Sequence, residues 1–169
     1  EIFEGVTLRL PDIVFDDYLR LDLGGRVVEC HYFGPANTPG DTITYVPEAK
    51  AAWTGNMTGG MFGLGLETDA ATFLGTLTRF VQRLENETLI PAHRPPAGPE
   101  LLGDYLVYFS EVTGEVRKAI SAGCSLEETL GRVVQSERFS LPAGDPNAAV
   151  MTGRHRYNVQ RTYLAMAGQ

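Results

Sequence analysis

GPANTPGDTITYVPEAKAAWTGN, residues 34–56, sets turn residues and β-formers in alternating blocks. It opens on a turn-rich loop, Asn37-Thr38-Pro39-Gly40-Asp41, built from the residues that fix or relax backbone angles in turns. A β-branched and aromatic run follows, Thr42-Ile43-Thr44-Tyr45-Val46, and predicts a strand. Pro47-Glu48-Ala49-Lys50 breaks that run. Ala51 to Thr54 predicts a second short strand, and Gly55-Asn56 returns the chain to a loop. The pattern is therefore loop, strand, turn, strand, loop, with polar side chains gathered where strands begin and end. Loops at strand ends are where a rigid scaffold presents functional groups.

Upstream, Leu19, Leu21 and Leu23 alternate with Arg20 and Asp22. Gly24-Gly25 then leads into a β-rich run over 26–33, a hairpin signal. Val6, Leu8 and Leu10 also alternate and predict a further strand, broken at Pro11-Asp12. Downstream, residues 55–68 are glycine-rich. Thr68 or Asp69 is placed to cap a helix whose Phe73, Leu74, Leu77, Phe80, Val81 and Leu84 recur at spacings of three and four. Thr88 to Ile90 predicts a short strand, and IPAHRPP (90–96) contains a proline-rich loop carrying His93. Pro99 suits the start of a long amphipathic helix through Leu102, Tyr105, Leu106, Phe109, Val112, Val116 and Ile120, which Gly123 stops. Ser125-Leu126-Glu127-Glu128 reads as a capping box, Pro142 to Pro146 as a turn, and 154–167 as a last helix. Antiparallel strands, then a helix, a strand and more helices predict an α/β arrangement: a mostly antiparallel or mixed sheet covered on one face by helices.

The chain has 169 residues, 43% apolar and 21% charged, with 14 Lys+Arg against 21 Asp+Glu, a net charge of −7. This is a globular composition, sized for one domain spanning 1–169 in which 140–169 form an extension or last helix. No basic block suggests nucleic acid, and no apolar run is long enough for a membrane span. Two separated cysteines, Cys30 and Cys124, make neither a disulfide framework nor a thiolate cluster. A cytoplasmic setting is the expectation. The chain opens Glu1-Ile2-Phe3-Glu4-Gly5, which reads as a start in mid-domain.

Taken together, GPANTPGD, WTGN and IPAHRPP resemble the second half of the metallo-β-lactamase-fold hydrolases. That family reads G-x-x-H-T-P-G-D, T-G-D and P-x-H at these three places, in the same order and strand context. The resemblance runs over roughly residues 6–140 and implies the second half of a four-layer αββα sandwich. The other half is then expected on the N-terminal side of the same protein or on a second chain. It further implies a one- or two-metal edge, zinc or iron, where a metal-bound hydroxide attacks a small ester, lactone, thioester or amide.

Two of the three ligand positions are substituted. Asn37 stands where the family has histidine, and Asn56 where it has the aspartate; His93 alone keeps its usual residue. An amide oxygen is a neutral, weak donor for Zn²⁺, and replacing a bridging carboxylate removes a full charge beside the cations, on the order of several kcal/mol at an effective dielectric of about 20. The family's principal motif, H-x-H-x-D-H, does not occur among 169 residues that hold only His31, His93 and His155. The resemblance therefore implies a hydrolase-like protein with a degenerate metal edge, able to act on a small molecule or repurposed for other chemistry. The alternative is a metal-free member that binds a ligand or a partner.

Simpler roles are weighed beside these. Asn37 with Thr38-Pro39-Gly40 is also a plain turn, and Asp41 reads as a turn former. Arg94 suits a surface salt bridge or an anionic substrate. Cys30 and His31 are neighbours on a strand and point to opposite faces, so they form no catalytic pair. His155, between Arg154 and Arg156, is expected at a solvated or partner-facing helix start. The run through Gly59-Gly60 to Glu67 lacks the GK[ST] of a phosphate-binding loop. Its Met61, Phe62, Leu64 and Leu66, with Met57, are expected to line a hydrophobic cleft or cap the core.

Overall fold

The computed structural model describes residues 4–59 and 67–168. Strands β1 (Tyr18–Asp22), β2 (Val27–His31), β3 (Ile43–Val46) and β4 (Ala51–Gly55) form an antiparallel meander; β5 (Thr88–Pro91) adds to β4 in parallel, giving the order β1-β2-β3-β4-β5. The glycine pair makes the first hairpin as expected. Gly24 and Gly25 take φ of 77° and 153°, and Leu23 N donates to Arg26 O at 2.9 Å. A parallel partner needs a crossover, and helix α1 (Ala70–Arg83) supplies it between β4 and β5.

Asp69 is the cap of α1, its carboxylate accepting from Ala71 N and Thr72 N. Helix α2 (Glu100–Ser121) follows directly after Pro99 and ends at Ala122, with Gly123 at φ 75° beyond it. The capping box of α3 (Leu126–Arg132) is formed in both directions between Ser125 and Glu128. Helix α4 (Ala148–Met166) begins before the expected position 154 and packs against α1, α2 and α3.

One face of the sheet carries Ile43, Tyr45, Ala52 and Leu89. They are buried in a single cluster with Phe73, Leu77 and Phe80 of α1 and with Tyr105, Phe109, Val112 and Val116 of α2. The opposite face carries Leu19, Leu21, Val28, Cys30 and Ile90, all only half-buried, and Trp53, which is 44% exposed. The expectation of a mixed sheet with helices on one face holds.

Two expectations fail. Residues Val6 to Leu10 form no strand; Val6, Leu8 and Leu10 are 69%, 86% and 74% exposed. Alternation marks a segment able to lie half-buried in a sheet, but a strand also needs a hydrogen-bonding neighbour, and among the described residues this segment pairs with none. His155 is not solvated: it is buried on α4, together with Met151, Asn158, Val159 and Thr162. These positions recur at spacings of three and four and define the inward stripe of the helix, beside which Arg154 is half-buried and Arg156 exposed.

Candidate functional site at one end of the sheet

Strand directions decide what the end of the sheet can gather. β3 starts opposite the end of β2 (His31↔Ile43) and runs antiparallel to β4 (Thr44↔Trp53), while β4 and β5 finish together (Gly55↔Pro91). The loop after β2, the turn after β4 and the loop after β5 consequently leave the same end. These loops carry Asn37, Asn56 and His93.

The first loop is tied down throughout. Asp41 accepts from Thr38 N and Thr38 Oγ1, each at 2.9 Å, which makes it the turn former expected. Tyr32 OH donates to Pro39 O at 2.9 Å, Thr76 Oγ1 to Pro35 O at 2.6 Å, and Thr68 Oγ1 to Ala36 O. Asn37 is buried within this frame. Its backbone oxygen accepts from Glu67 N, and its side-chain Oδ1 is buried without a hydrogen-bond partner among the described residues. A buried amide oxygen with no partner costs about 1–3 kcal/mol.

The other two loops meet through their backbones. Ala92 N donates to Gly55 O at 2.9 Å. Gly59 is wedged between them: a Cβ there would lie 2.8 Å from Gly55 O, 3.0 Å from Asn56 Cα and 3.1 Å from the Ala92 Cβ. His93 has φ of 60°, the left-handed region that non-glycine residues seldom enter, and its side chain is exposed, as is that of Asn56. Thus Asn56 and His93 sit on adjoining loops, and Asn37 sits buried on the third. Arg94 is exposed and makes no ion pair among the described residues, so the surface salt bridge expected of it is not formed. Met61, Phe62, Leu64 and Leu66 lie outside the described residues; Met57 is fully buried.

No group of three or more His, Cys, Asp or Glu capable of holding a metal ion forms among the described residues. One imidazole and two neutral amides do not make the charged, imidazole-rich shell that Zn²⁺ or iron takes in a hydrolytic centre. On its own side chains the described end of the sheet does not fit a dinuclear metal site. It offers hydrogen bonds from the exposed Asn56 amide and the exposed His93 imidazole.

The architecture has relatives. The chain superposes on the stereoselective inverting sec-alkylsulfatase Pisa1 from Pseudomonas sp. with a TM-score of 0.71 and 17% identity, over 96% of this chain and 27% of the sulfatase. The chain carries part of the metallo-β-lactamase fold. The metallo-β-lactamase from Pontibacter korlensis matches 64% of it, with a TM-score of 0.54 and 20% identity over 53% of that protein. TMB-1 matches 66% of it, with a TM-score of 0.55 and 18% identity over 53% of its own chain. This metallo-β-lactamase-like chain therefore spans about a quarter of the sulfatase and about half of the two others. No family model and no curated protein matches it.

Sequence reading missed a buried polar network between α2, α4 and the segment after α3. Tyr108 OH lies 3.1 Å from His155 Nδ1, His155 Nε2 lies 3.1 Å from Val133 O, and Asn158 Nδ2 donates to Tyr108 OH at 3.1 Å. Because Val133 O can only accept, Nε2 carries the proton and Nδ1 accepts from the tyrosine. Burial holds the His155 pKa below its ordinary value and pushes the Tyr108 hydroxyl up to about 12. The available signal was the spacing of His155, Asn158 and Thr162 along one stripe of α4.

Proposed function

We propose that this chain is a hydrolase-like metallo-β-lactamase-fold protein whose metal edge is degenerate. The loop end receives the carbonyl of a small ester, lactone, thioester or amide through hydrogen bonds rather than through a metal pair. The observation that carries the reading is the convergence of the loops bearing Asn37, Asn56 and His93 on one end of the sheet, with amides at two of the three positions. Asn56 is exposed, and its Nδ2 can donate to a carbonyl oxygen. His93 supplies an exposed imidazole whose ring nitrogens can donate or accept a hydrogen bond.

Metal analysis of the purified chain tests it. A substoichiometric zinc and iron content is expected; a full dinuclear loading overturns the proposal. Asn37→His combined with Asn56→Asp should raise zinc uptake, because imidazole and carboxylate restore stronger donors. No rise in the double variant would mean that these loops do not converge on one pocket.

A second part of the proposal concerns partners, and it is supported by the half-exposed apolar sheet face. Leu19, Leu21, Val28, Trp53 and Ile90 form the surface that a second αββα layer would cover, from the same protein or from another chain.

A further inference from the structure

A second cleft lies on the helix-covered side of the sheet, between the edge hairpin β1–β2 and the C-terminal half of α1. Its volume is about 710 Å³, and none of Asn37, Asn56 or His93 lines it. The volume lies within the range of small-molecule sites.

Its floor is an ordered polar chain. His31 Nε2 lies 2.9 Å from Glu29 Oε2, and Tyr18 OH donates to Glu29 Oε1 at 3.0 Å. These side chains are brought together by register: Tyr18 pairs with His31 and Arg20 with Glu29, so Tyr18, Glu29 and His31 share the helix side of the sheet. Both oxygens of Glu29 are thereby engaged by donors within the floor. The His31 ring is stacked on Phe33 at 5.5 Å with 2° between planes, and Tyr18 leans on it at 5.0 Å. The inner surface is thus aromatic, with the His31 and Phe33 rings parallel and Tyr18 tilted against them.

Its wall is cationic. Arg79 and Arg83 are one helical turn apart on α1 and both line the cleft, with Gln82 beside them. Arg79 is fixed, its Nε donating to Phe33 O at 2.6 Å and its Nη2 to Thr76 Oγ1 at 3.1 Å, which leaves Nη1 uncommitted. Arg83 makes no ion pair or hydrogen bond with any described residue. Asp17 is the remaining carboxylate at the rim. Two guanidinium groups and two carboxylates line the cleft, so their formal charges balance; with both Glu29 oxygens taken by Tyr18 and His31, the guanidinium N–H donors left over suit one added carboxylate better than a doubly charged phosphate.

We infer that this cleft binds a small organic monocarboxylate with a flat apolar body. The carboxylate meets Arg83, the free nitrogen of Arg79 and the Gln82 amide; the body lies against Tyr18 and Phe33. Planar guanidinium groups pair with carboxylate oxygens through directed N–H bonds. The inference is independent of the loop-end reading, since the two sites share no residue.

The test uses the whole chain and three probes, followed by NMR shift titration and calorimetry: naphthoate, its neutral amide naphthamide, and acetate. Naphthoate is expected to shift resonances of Phe33, His31 and the Arg79–Leu84 turn. Naphthamide and acetate should each bind about tenfold more weakly, the first lacking the charge and the second the flat body. Arg83→Gln should weaken naphthoate by about the same factor with the melting temperature unchanged. Should that variant fail to fold, Gln82→Glu, at an exposed position, should weaken naphthoate by repelling its carboxylate. Equal binding of naphthoate and naphthamide, unaltered naphthoate affinity in the folded variants, or shifts mapping away from this cleft would each overturn the inference. Metal content does not enter the readout, so failure here leaves the loop-end proposal untouched.

Discussion

Protonation of His155 takes away the lone pair that the Tyr108 hydroxyl uses. Its folded pKa lies below the ordinary 6.5 because burial disfavours the imidazolium. Between that depressed value and 6.5 the unfolded chain binds more protons than the folded one, so stability falls as pH falls through this window and levels off beneath it. Urea midpoints taken between about pH 7 and about pH 5 should show this loss, and His155→Gln should flatten the slope. Gly34 makes a second residue-scale case. It has φ of 116°, and a Cβ there would run into the Arg79 guanidinium and lie 2.9 Å from Thr76 Oγ1. Gly34→Ala should cost about 1–3 kcal/mol and displace Arg79, read by thermal melting and by loss of the Arg79–Phe33 hydrogen bond in NMR. At this scale the sequence was only partly legible. Asp41 declared itself a turn former because its partner is three residues away. His155 did not declare itself, because its burial depends on Tyr108, 47 residues distant.

Elements were far more legible, since their signals are local. The Asp69 and Ser125 caps, the Gly24-Gly25 hairpin and the Gly123 stop each rest on contacts within a few residues. Asp69→Ala removes the acceptor of two amide hydrogens at the start of α1 and should cost about 1 kcal/mol, lowering the melting temperature by about 2–4 °C. Ser125→Ala should cost a similar amount at α3; Glu128, whose carboxyl is held below its usual range first by the Ser125 backbone N–H, keeps that bond and loses the one from the Ser125 hydroxyl. The segment from Val6 to Leu10 marks the limit of local signals: its alternation is real, but pairing is a property of two segments, and one sequence window cannot supply the second.

For the molecule as a whole, the two sides of the sheet have unlike fates. Side chains of Tyr45, Ala52 and Leu89 are sealed under α1 and α2, whereas Leu21 and Trp53 remain at the surface. A contiguous apolar surface of this kind promotes association. Leu21→Arg with Trp53→Arg should lower self-association or binding of a covering layer, read by analytical ultracentrifugation, while leaving helical circular dichroism intact. Periodicity announced helices against one face of a sheet. It said nothing of what covers the other face, because the half-buried residues there read the same whether or not a neighbour is present. The three loop motifs were legible as one group only through order and strand context. Strand pairing explains why: β4 and β5 end side by side although α1 stands between them in the chain.

That parallel pairing also bears on the order of events when the chain folds. The four-strand meander joins neighbours in sequence, so its pairs close short loops. Docking β5 must close a span of more than thirty residues, which is entropically slower. The junction of the Asn56 and His93 loops around Gly59 is therefore completed late and opens early. In native-state hydrogen exchange, the Ala92 amide and the amides of β5 should exchange together, ahead of those shared by β2 and β3.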